Sequence, residues 1–240
     1  MNSRVNIIRK LIELNENLFF YPKIRKAYKK LHKENHFNIV FDIGTNKGQT
    51  IKQFKAVNPK IFIYGFEPNK RHYNNLYNSN EENLKMFNAG CSNIEGELVF
   101  HENILDESST FENVDLNSNW LNKKAKILGT KPKNLIQKSY KVKCIKLSTF
   151  FQKNNVKLID LIKIDVEGHE YQVLEGIFEK KETLIKFIQI ENHNDDLYLT
   201  TNRNKIKKLL KDNNFKEFIS ISHGFGDIQD IIYKNRNIDA

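Results

Sequence analysis

The sequence predicts an α/β fold in which helices cover both faces of a mostly parallel sheet. From residue 38 onward, short apolar runs typical of buried strands alternate with segments of helical periodicity. The runs are apolar at nearly every position, as strands buried on both faces require. Near the C-terminal end, runs over residues 215–222 and 230–234 flank the glycine-containing turn 223–226. This pattern predicts an antiparallel hairpin at the edge of the sheet.

Four strands and two helices are predicted between residues 38 and 101. The strands are rich in Ile, Phe, Val and Tyr and end near glycine, proline or asparagine residues. They cover residues 38–43, 61–66, 84–89 and 97–101. The helices carry apolar side chains on one face and cover residues 49–57 and 71–79.

The second half of the fold begins after a segment without strong periodicity. Residues 102–140 are rich in Asn, Ser and Lys and are predicted to form a long loop or a small irregular insertion. Residues 141–145 are a candidate edge strand. Strands are then predicted over residues 158–165 and 187–191, and helices over residues 168–176 and 202–212.

The first 36 residues are predicted to form a basic helical extension. Apolar positions recur there at three- and four-residue steps, at Ile7, Ile8, Leu11, Leu14 and Leu18. We expect this stripe to cap a neighbouring core, although a basic amphipathic helix can also lie on a membrane. Tyr21-Pro22 should interrupt the run before a second helix over residues 23–33. The predicted organisation is this extension over residues 1–36 and one domain over residues 37–240, with a Lys-rich insertion at about 102–146.

Two segments carry the net charge of +10. Residues 1–36 hold nine basic and three acidic side chains, and residues 123–146 hold nine lysines and no acid. An anionic partner such as nucleic acid, a membrane surface or an acidic glycan is one explanation. The other is a lysine-rich but simply solvated surface. Two cysteines 53 positions apart fit no zinc or redox spacing, and no signal or membrane-spanning run is found. We therefore expect a cytoplasmic protein, with peripheral membrane attachment as an alternative.

The first motif with chemical content follows the strand 38–43. Asp42 ends this strand, and the turn from Gly44 to Gly48 leads into a helix. Ligands of open parallel sheets bind at such turns, and Gly44 would allow close backbone approach. Glu67 lies 19 positions after Gly48, where an acid is placed to accept both ribose hydroxyls, and Pro68 then ends the strand. Neither a dinucleotide fingerprint nor a phosphate loop occurs. The pattern therefore favours an adenosine ligand without phosphates.

A second motif spans residues 160–170. Lys163 and Asp165 alternate with isoleucines, so both polar side chains share one face at a strand end. A buried lysine beside a carboxylate should be paired with it. Asp165 and Glu167 are predicted to face the cofactor or substrate, although an acid there can also cap the following helix. His169 is predicted to face the substrate beside Glu167 and is a weaker candidate for a base.

A third cluster, Glu191-Asn192-His193, closes the strand 187–191. His193 is the preferred general base because the pKa of histidine lies near neutrality. Asp165, Glu191 and His193 could instead converge on a divalent metal ion, an alternative that ranks lower. A strand-end histidine can also serve only as a hydrogen-bonding loop residue.

Together these segments resemble the FkbM-like family of S-adenosylmethionine-dependent methyltransferases. The matching stretches are residues 41–49 (FDIGTNKGQ), 65–69 (GFEPN) and 160–170 (DLIKIDVEGHE). The resemblance implies a Rossmann-like seven-stranded sheet of the class I methyltransferase type, S-adenosylmethionine as methyl donor, and transfer to a hydroxyl oxygen. It implies that Asp42, Gly44 and Gly48 line the methionine side of the cofactor and that Glu67 holds the ribose. Asn46 and Pro68 complete the predicted cofactor set, with Asp165 and Glu167 at the reaction centre.

The predicted function is O-methylation of a sugar, glycan or glycolipid precursor. Asp165-Val166-Glu167-Gly168 lacks the prolines typical of enzymes that methylate exocyclic amino groups of nucleobases. An RNA methyltransferase is one alternative, since the pI is near 9.3. Tyr140 is, however, the only aromatic residue among the lysines of 123–146, and single-stranded RNA needs aromatic side chains on which its bases can stack. A non-catalytic binding protein is the other alternative. The acceptor, the oligomeric state and any metal requirement are left open.

Overall fold

A seven-stranded sheet forms the centre of the chain. The computed structural model describes residues 3–193, 203–224 and 228–238, without the side chain of His193. In chain order, the strands are β1 (Ile39–Ile43), β2 (Phe62–Phe66), β3 (Leu84–Phe87), β4 (Gly90–Cys91), β5 (Gly96–Asn103), β6 (Ile136–Ile145), β7 (Leu158–Ile164), β8 (Leu184–His193), β9 (Phe215–Ser222) and β10 (Ile228–Asn235). The main helices are α1 (Ser3–Asn15), α2 (Tyr21–Asn35), α3 (Gln49–Val57), α4 (Lys70–Tyr77), α5 (Asn119–Leu128), α6 (Leu147–Lys153), α7 (Glu170–Phe178) and α8 (Arg203–Asp212).

The strand order of the main sheet is β3-β2-β1-β7-β8-β10-β9. Among these described strands, β10 alone runs in the opposite direction, antiparallel to both β8 and β9, and all other neighbouring pairs are parallel. The predicted mostly parallel sheet with an antiparallel C-terminal strand is therefore confirmed. Part of the predicted turn 223–226, from Phe225 onward, lies outside the described residues, as does Asn202 at the predicted helix start.

Alternate side chains of each strand enter two cores on opposite faces of the sheet. Phe41 of β1 and Ile162 of β7 belong to the core that α6, α7 and α8 cover. Val40 and Leu161, one position away on the same strands, belong to the core that α2 and α3 cover. Side chains that alternate across a strand require this division. It explains why the strand runs are apolar at consecutive positions.

The N-terminal segment is one bent helical unit, so the predicted interruption at Tyr21-Pro22 is wrong. A π-helical turn, Glu16–Phe20, joins α1 directly to α2, and Pro22 lies in the first turn of α2. Because proline lacks an N–H, Pro22 removes one backbone hydrogen bond from this continuous helical unit. The wider π-turn absorbs the irregularity that the proline imposes.

The two N-terminal helices have different environments. Ile24, Tyr28 and Leu31 of α2 are buried in the core on one face of the sheet. α1 instead packs against α5 through Val5, Ile8 and Ile12, of which only Ile8 belongs to the predicted stripe. The expected capping role of the stripe is therefore wrong for most of its positions. Ile7, Leu11, Leu14 and Leu18 are each more than half exposed.

Residues 102–140 contain α5 and the start of β6, so of the two predicted alternatives the long loop is wrong. Ser118 caps the start of α5 by accepting a hydrogen bond from the Leu121 N–H, and α5 ends at Gly129, which has a positive φ. β5 and β6 pair over eight register positions, and with β4 they form a separate three-stranded sheet. Residues 97–101 and 141–145 therefore do not extend the main sheet.

Among the described residues, no helix is long and apolar enough to cross a membrane. The division at residue 36 and the insertion limits of about 102–146 stay predictions.

The start of β1 depends on one buried carboxylate. Asp160 Oδ2 accepts hydrogen bonds from the N–H groups of Asn38 (2.7 Å) and Ile39 (2.9 Å). The Nζ of Lys186 lies 2.8 Å from the other oxygen. We expect Asp160→Ala to lower the free energy of unfolding by about 2–4 kcal/mol, because two backbone donors lose their acceptor. Asp160→Asn keeps an oxygen for both donors and should cost less than half as much. Urea unfolding of the two variants checks this, and equal losses would contradict it.

Candidate active site

A tight turn joins β1 to α3 at the edge where the parallel strands end. Gly44 and Gly48 have φ angles of +82° and +81°. A Cβ atom on Gly44 would lie 1.8 Å from the carbonyl oxygen of Asp165, so only glycine permits this approach of β1 to the end of β7. The N–H of Gly44 donates to the Phe66 carbonyl at 3.0 Å. The turn therefore holds the ends of three neighbouring strands together.

Glu67 follows β2 directly and lies beneath this turn. Its Oε2 accepts the N–H of Asn46 and its Oε1 accepts the N–H of Asn69, both at 2.7 Å. Burial raises the pKa of Glu67 to about 7, although the two N–H groups oppose that shift. Each oxygen keeps lone-pair capacity for a further donor. Glu67 is thus a fixed acceptor for hydroxyl groups.

Lys163 offsets buried negative charge at the same edge. Its Nζ lies 2.7 Å from Asp165 Oδ2 and 3.9 Å from Asp42 Oδ1. Burial opposes the charge of Lys163, but the carboxylates of Asp165 and Asp42 outweigh it and raise its pKa. Burial raises the pKa of Asp42 to about 6 despite the attraction of Lys163. Neither carboxylate oxygen of Asp42 makes a hydrogen bond within the described ranges.

A cavity of about 740 Å³ opens over these strand ends. Of the predicted cofactor residues, those that line it are Gly44, Asn46, Glu67, Pro68 and Asp165. Asp42 and Gly48 are not part of its lining, so their predicted contact with the cofactor is not observed. Asp42 lies one layer deeper, against Lys163, and Gly48 begins α3 against Leu76.

The cavity wall fits an adenosine-containing cation. Two buried polar atoms beside Glu67, Asn46 Oδ1 and Asn69 Nδ2, have no hydrogen-bond partner in the described part of the chain. They offer an acceptor and a donor next to the Glu67 carboxylate. Other carboxylates, Asp165, Glu167 and Glu191, also line the cavity and favour a positively charged ligand. S-adenosylmethionine carries both an adenosine with ribose hydroxyl groups and a positively charged sulfonium.

The residues after β7 divide into cavity-lining and structural ones. Glu167 lines the cavity, and its φ of +53° places it in the left-handed region that non-glycine residues seldom adopt. Glu170 instead accepts the N–H groups of Val166 and Gly168 at the start of α7. His169 is buried, with Nδ1 2.6 Å from Glu112 Oε1 and Nε2 2.9 Å from Ser92 Oγ. The prediction that His169 faces the substrate is therefore wrong, because both ring nitrogens bind protein groups away from the cavity.

A second histidine, His223, directly follows β9 and, unlike His169, lines the cavity. His223 Nε2 lies 3.0 Å from Asp230 Oδ1 and 3.7 Å from Glu191 Oε1. Gln189 donates to the other oxygen of Asp230 and accepts from the Tyr28 hydroxyl at 2.7 Å. Burial lowers the pKa of His223, but the hydrogen bond and charge of Asp230 outweigh it and raise the pKa overall.

The N-terminal π-turn covers this second histidine. The ring of Phe20 stacks on His223 with the ring centroids 3.8 Å apart. Glu16, in the same turn, accepts a hydrogen bond from the Tyr21 hydroxyl at 2.9 Å, and burial raises its pKa. Sequence reasoning missed His223, Asp230 and Glu16 because Glu16 is far from the other two in the chain and only the fold brings all three to the cavity. A histidine just after a predicted strand was the one local signal.

The predicted base His193 ends β8, opposite Ile228 of β10, and its side chain is outside the described structure. Two groups bring potential metal-ligand atoms within 4.8 Å of one another. They are Glu191, His223 and Asp230, and Asp165, Glu167 and Glu191. Both groups lie at the cavity edge, where the sequence placed the alternative metal site.

The fold and the cavity define a class I methyltransferase. Residues 42–220 match the sequence profile of the methyltransferase FkbM domain. Because this match covers most of the chain, the protein belongs to the FkbM methyltransferase family. The prediction of this family is therefore confirmed.

Individual relatives are more distant. A 2-O-methyltransferase, NoeI, from Sinorhizobium fredii is 26% identical over 172 residues, which span 67% of this chain and 65% of that protein. Similar solved structures include a SAM-dependent methyltransferase from Aquifex aeolicus, with 12% identity, a TM-score of 0.49 and coverage of 96% of this chain and 98% of that one. Another is the O-methyltransferase from Bacillus cereus in complex with SAH, with 11% identity, a TM-score of 0.45 and coverage of 98% and 91%.

The buried Asp42 carboxylate should destabilise the fold at neutral pH. Its folded pKa of about 6 exceeds the ordinary 3.8, so the folded state binds this proton more tightly than the unfolded state. Stability that depends on Asp42 therefore falls as the pH rises from about 4 through 6. We expect Asp42→Asn to raise the free energy of unfolding at pH 8 by about 1–3 kcal/mol, with the difference vanishing near pH 3.5.

Chemical denaturation of both proteins between pH 3.5 and 8 measures this difference. The same substitution at the exposed Asp212 of α8 is the matched control, and we expect it to change the free energy of unfolding at pH 8 less than Asp42→Asn does. A pH-independent or negative difference for Asp42→Asn would show that the buried Asp42 carboxylate does not destabilise the fold.

Proposed function

We propose that this protein transfers the methyl group of S-adenosylmethionine to a hydroxyl oxygen of a sugar-containing acceptor. The observation that supports this most is the Gly44 turn above the fixed Glu67 carboxylate, without a cradle for phosphates. The relative named as a 2-O-methyltransferase supports oxygen as the acceptor atom. The carboxylates of the cavity wall suit a ligand rich in hydroxyl groups, because they accept hydrogen bonds from them.

On the cofactor side, Glu67 accepts the ribose hydroxyls, and Asn46 offers its buried amide oxygen. Gly44 and Pro68 shape the wall, and Asp165 faces the sulfonium end. We propose that Asp42 and Gly48 act indirectly. Asp42 holds Lys163 in place, and Lys163 in turn orients Asp165. Gly48 lets the chain turn into α3.

S-adenosylmethionine supplies a methyl group on a sulfonium centre, which is already activated for in-line displacement. The protein must therefore hold the acceptor oxygen in line and remove its proton. Asp165, Glu167 and Glu191 surround the place where that oxygen would lie. A sugar hydroxyl is a weak nucleophile, so a base close to it should speed the reaction.

We propose two histidines as candidates for that base. His193 follows Glu191 closely in the chain, as the sequence indicated. His223 has the better-supported position, because Asp230 orients its ring and stabilises the imidazolium that forms. Glu191 lies on the same side and can hold the acceptor hydroxyl toward the ring.

The alternatives are weaker. An RNA methyltransferase would use the lysines of residues 123–146, several of which project from β6 and α5 into solvent. Lys123 and Lys124 also line the cavity, but Asp165, Glu167 and Glu191 would repel a phosphate backbone at the proposed reaction centre. An anionic partner for these lysines stays a prediction. A non-catalytic binding protein would have no need of the oriented His223–Asp230 pair.

Incubation with S-adenosylmethionine labelled in the methyl group tests this function. We expect label in a panel of methyl glycosides, on oxygen by mass spectrometry, and none in RNA. His223→Gln should lower kcat by a factor of about 10²–10⁴ because the base is lost, while S-adenosylhomocysteine binds within about twofold of the wild type. His101→Gln, on the exposed second sheet, is the matched control.

Three results would contradict parts of this proposal. Label in RNA would favour the nucleic-acid alternative, and cofactor binding without transfer to any acceptor would favour the binding protein. A loss confined to His193→Gln would assign the proton to His193.

A further inference from the structure

The cavity does not end at the strand edges. It continues between α1 and α5, and the part of the lining that these two helices supply is called the arm here. Charged side chains occur in the arm, namely Arg9, Glu13, Lys123 and Lys124, but apolar side chains outnumber them. The apolar residues of this arm are Ile8, Leu11, Ile12, Trp120, Ile127 and Leu128.

The apolar arm opens onto the surface rather than ending in the core. Ile8 and Ile127 also line an open surface groove with Ile7 and Arg4. Leu11 is 57% exposed and Ile127 is 52% exposed. The arm and the groove thus form one apolar path from the reaction centre to solvent. Side chains left so exposed at the mouth of a cavity indicate an apolar ligand.

We infer that the acceptor is an amphiphile, a glycoside whose sugar lies at the strand ends and whose alkyl or acyl chain lies in the arm between α1 and α5. This inference rests on the proposed function and specifies its substrate. The occupant must be joined to the sugar, because the arm is continuous with the cavity that holds the reacting groups. A second protein copy or a bilayer would instead cover the whole exposed stripe of α1 and the π-turn. This stripe includes Leu14 and Leu18, which do not line the cavity.

The protein carries its own reporter for this arm, since Trp120 is its one tryptophan and lines the arm. The probes are hexyl, octyl and decyl β-D-glucopyranoside, each below its critical micelle concentration, and a dodecyl β-D-maltoside brominated in mid-chain as a quencher. We expect saturable quenching of Trp120 by the brominated probe, with one molecule bound. The unbrominated glucosides should compete, with Kd falling about two- to fourfold for each added methylene.

The chain offers a matched pair of leucines to localise binding. Leu11 and Leu14 lie on the same helix and are 57% and 54% exposed, but only Leu11 lines the cavity. We expect Leu11→Asn and Ile127→Asn each to weaken glycoside binding at least fivefold, and Leu14→Asn to leave it within twofold. Both leucines are exposed, so neither substitution should disturb folding.

Several outcomes would overturn the inference. They are the absence of saturable quenching below the micellar range, a Kd independent of chain length, and an equal effect of Leu14→Asn and Leu11→Asn. A wild-type dimer in sedimentation that Leu14→Asn dissociates would assign the stripe to a second copy. Titration of the same samples with S-adenosylhomocysteine separates the two proposals. Cofactor binding without glycoside binding removes only the amphiphilic acceptor, whereas absent cofactor binding removes the proposed function.

Discussion

Buried negative charge at one edge of the main sheet, offset by a buried lysine, is the constraint on which the site depends. Parallel strands bring their carboxyl ends to the same edge, so Asp42, Glu67 and Asp165 necessarily meet there. Lys163 lies between two of them and keeps their charge compatible with burial. The single charge of Lys163 cannot balance the carboxylates of Asp42, Glu67 and Asp165 together. A ligand that brings positive charge and hydroxyl groups relieves this imbalance, and the Gly44 turn lets it approach the backbone.

The N-terminal helical segment and the insertion complete the cavity wall over this edge of the sheet. The π-turn places Phe20 on the ring of His223, and the insertion places Leu105 and Phe111 in the cavity wall. Asp106 ties the insertion to the cofactor side, since it lies 2.9 Å from Arg71 and 3.6 Å from Lys47. The N-terminal helices and the insertion thus supply much of the cavity wall beyond the strand ends.

Local patterns were enough to predict the strands, the glycine turn and the acids that follow β1, β2 and β7. Each of these depends on residues close together in the chain, with spacing that the backbone geometry of a parallel sheet imposes. The second sheet was missed because its pairing joins residues 96–103 to 136–145 across a long insertion. Alternation of exposed lysines with buried Val142 and Cys144 was its one local signal. His169 was misplaced because sequence could not show that Glu112, 57 positions earlier, binds its ring. His223 and Glu16 were missed for the same reason, since only the folded chain brings them to one cavity.

The most direct test of the central claim is isothermal titration with S-adenosylhomocysteine, performed on the wild type and on Glu67→Ala. We expect micromolar binding by the wild type and at least a tenfold loss in the variant, because Glu67 is the proposed acceptor for the ribose hydroxyl groups. Circular dichroism should show that the variant keeps its fold. Absence of binding by the folded wild type, or equal binding by Glu67→Ala, would contradict the assignment of this sheet edge as the cofactor site.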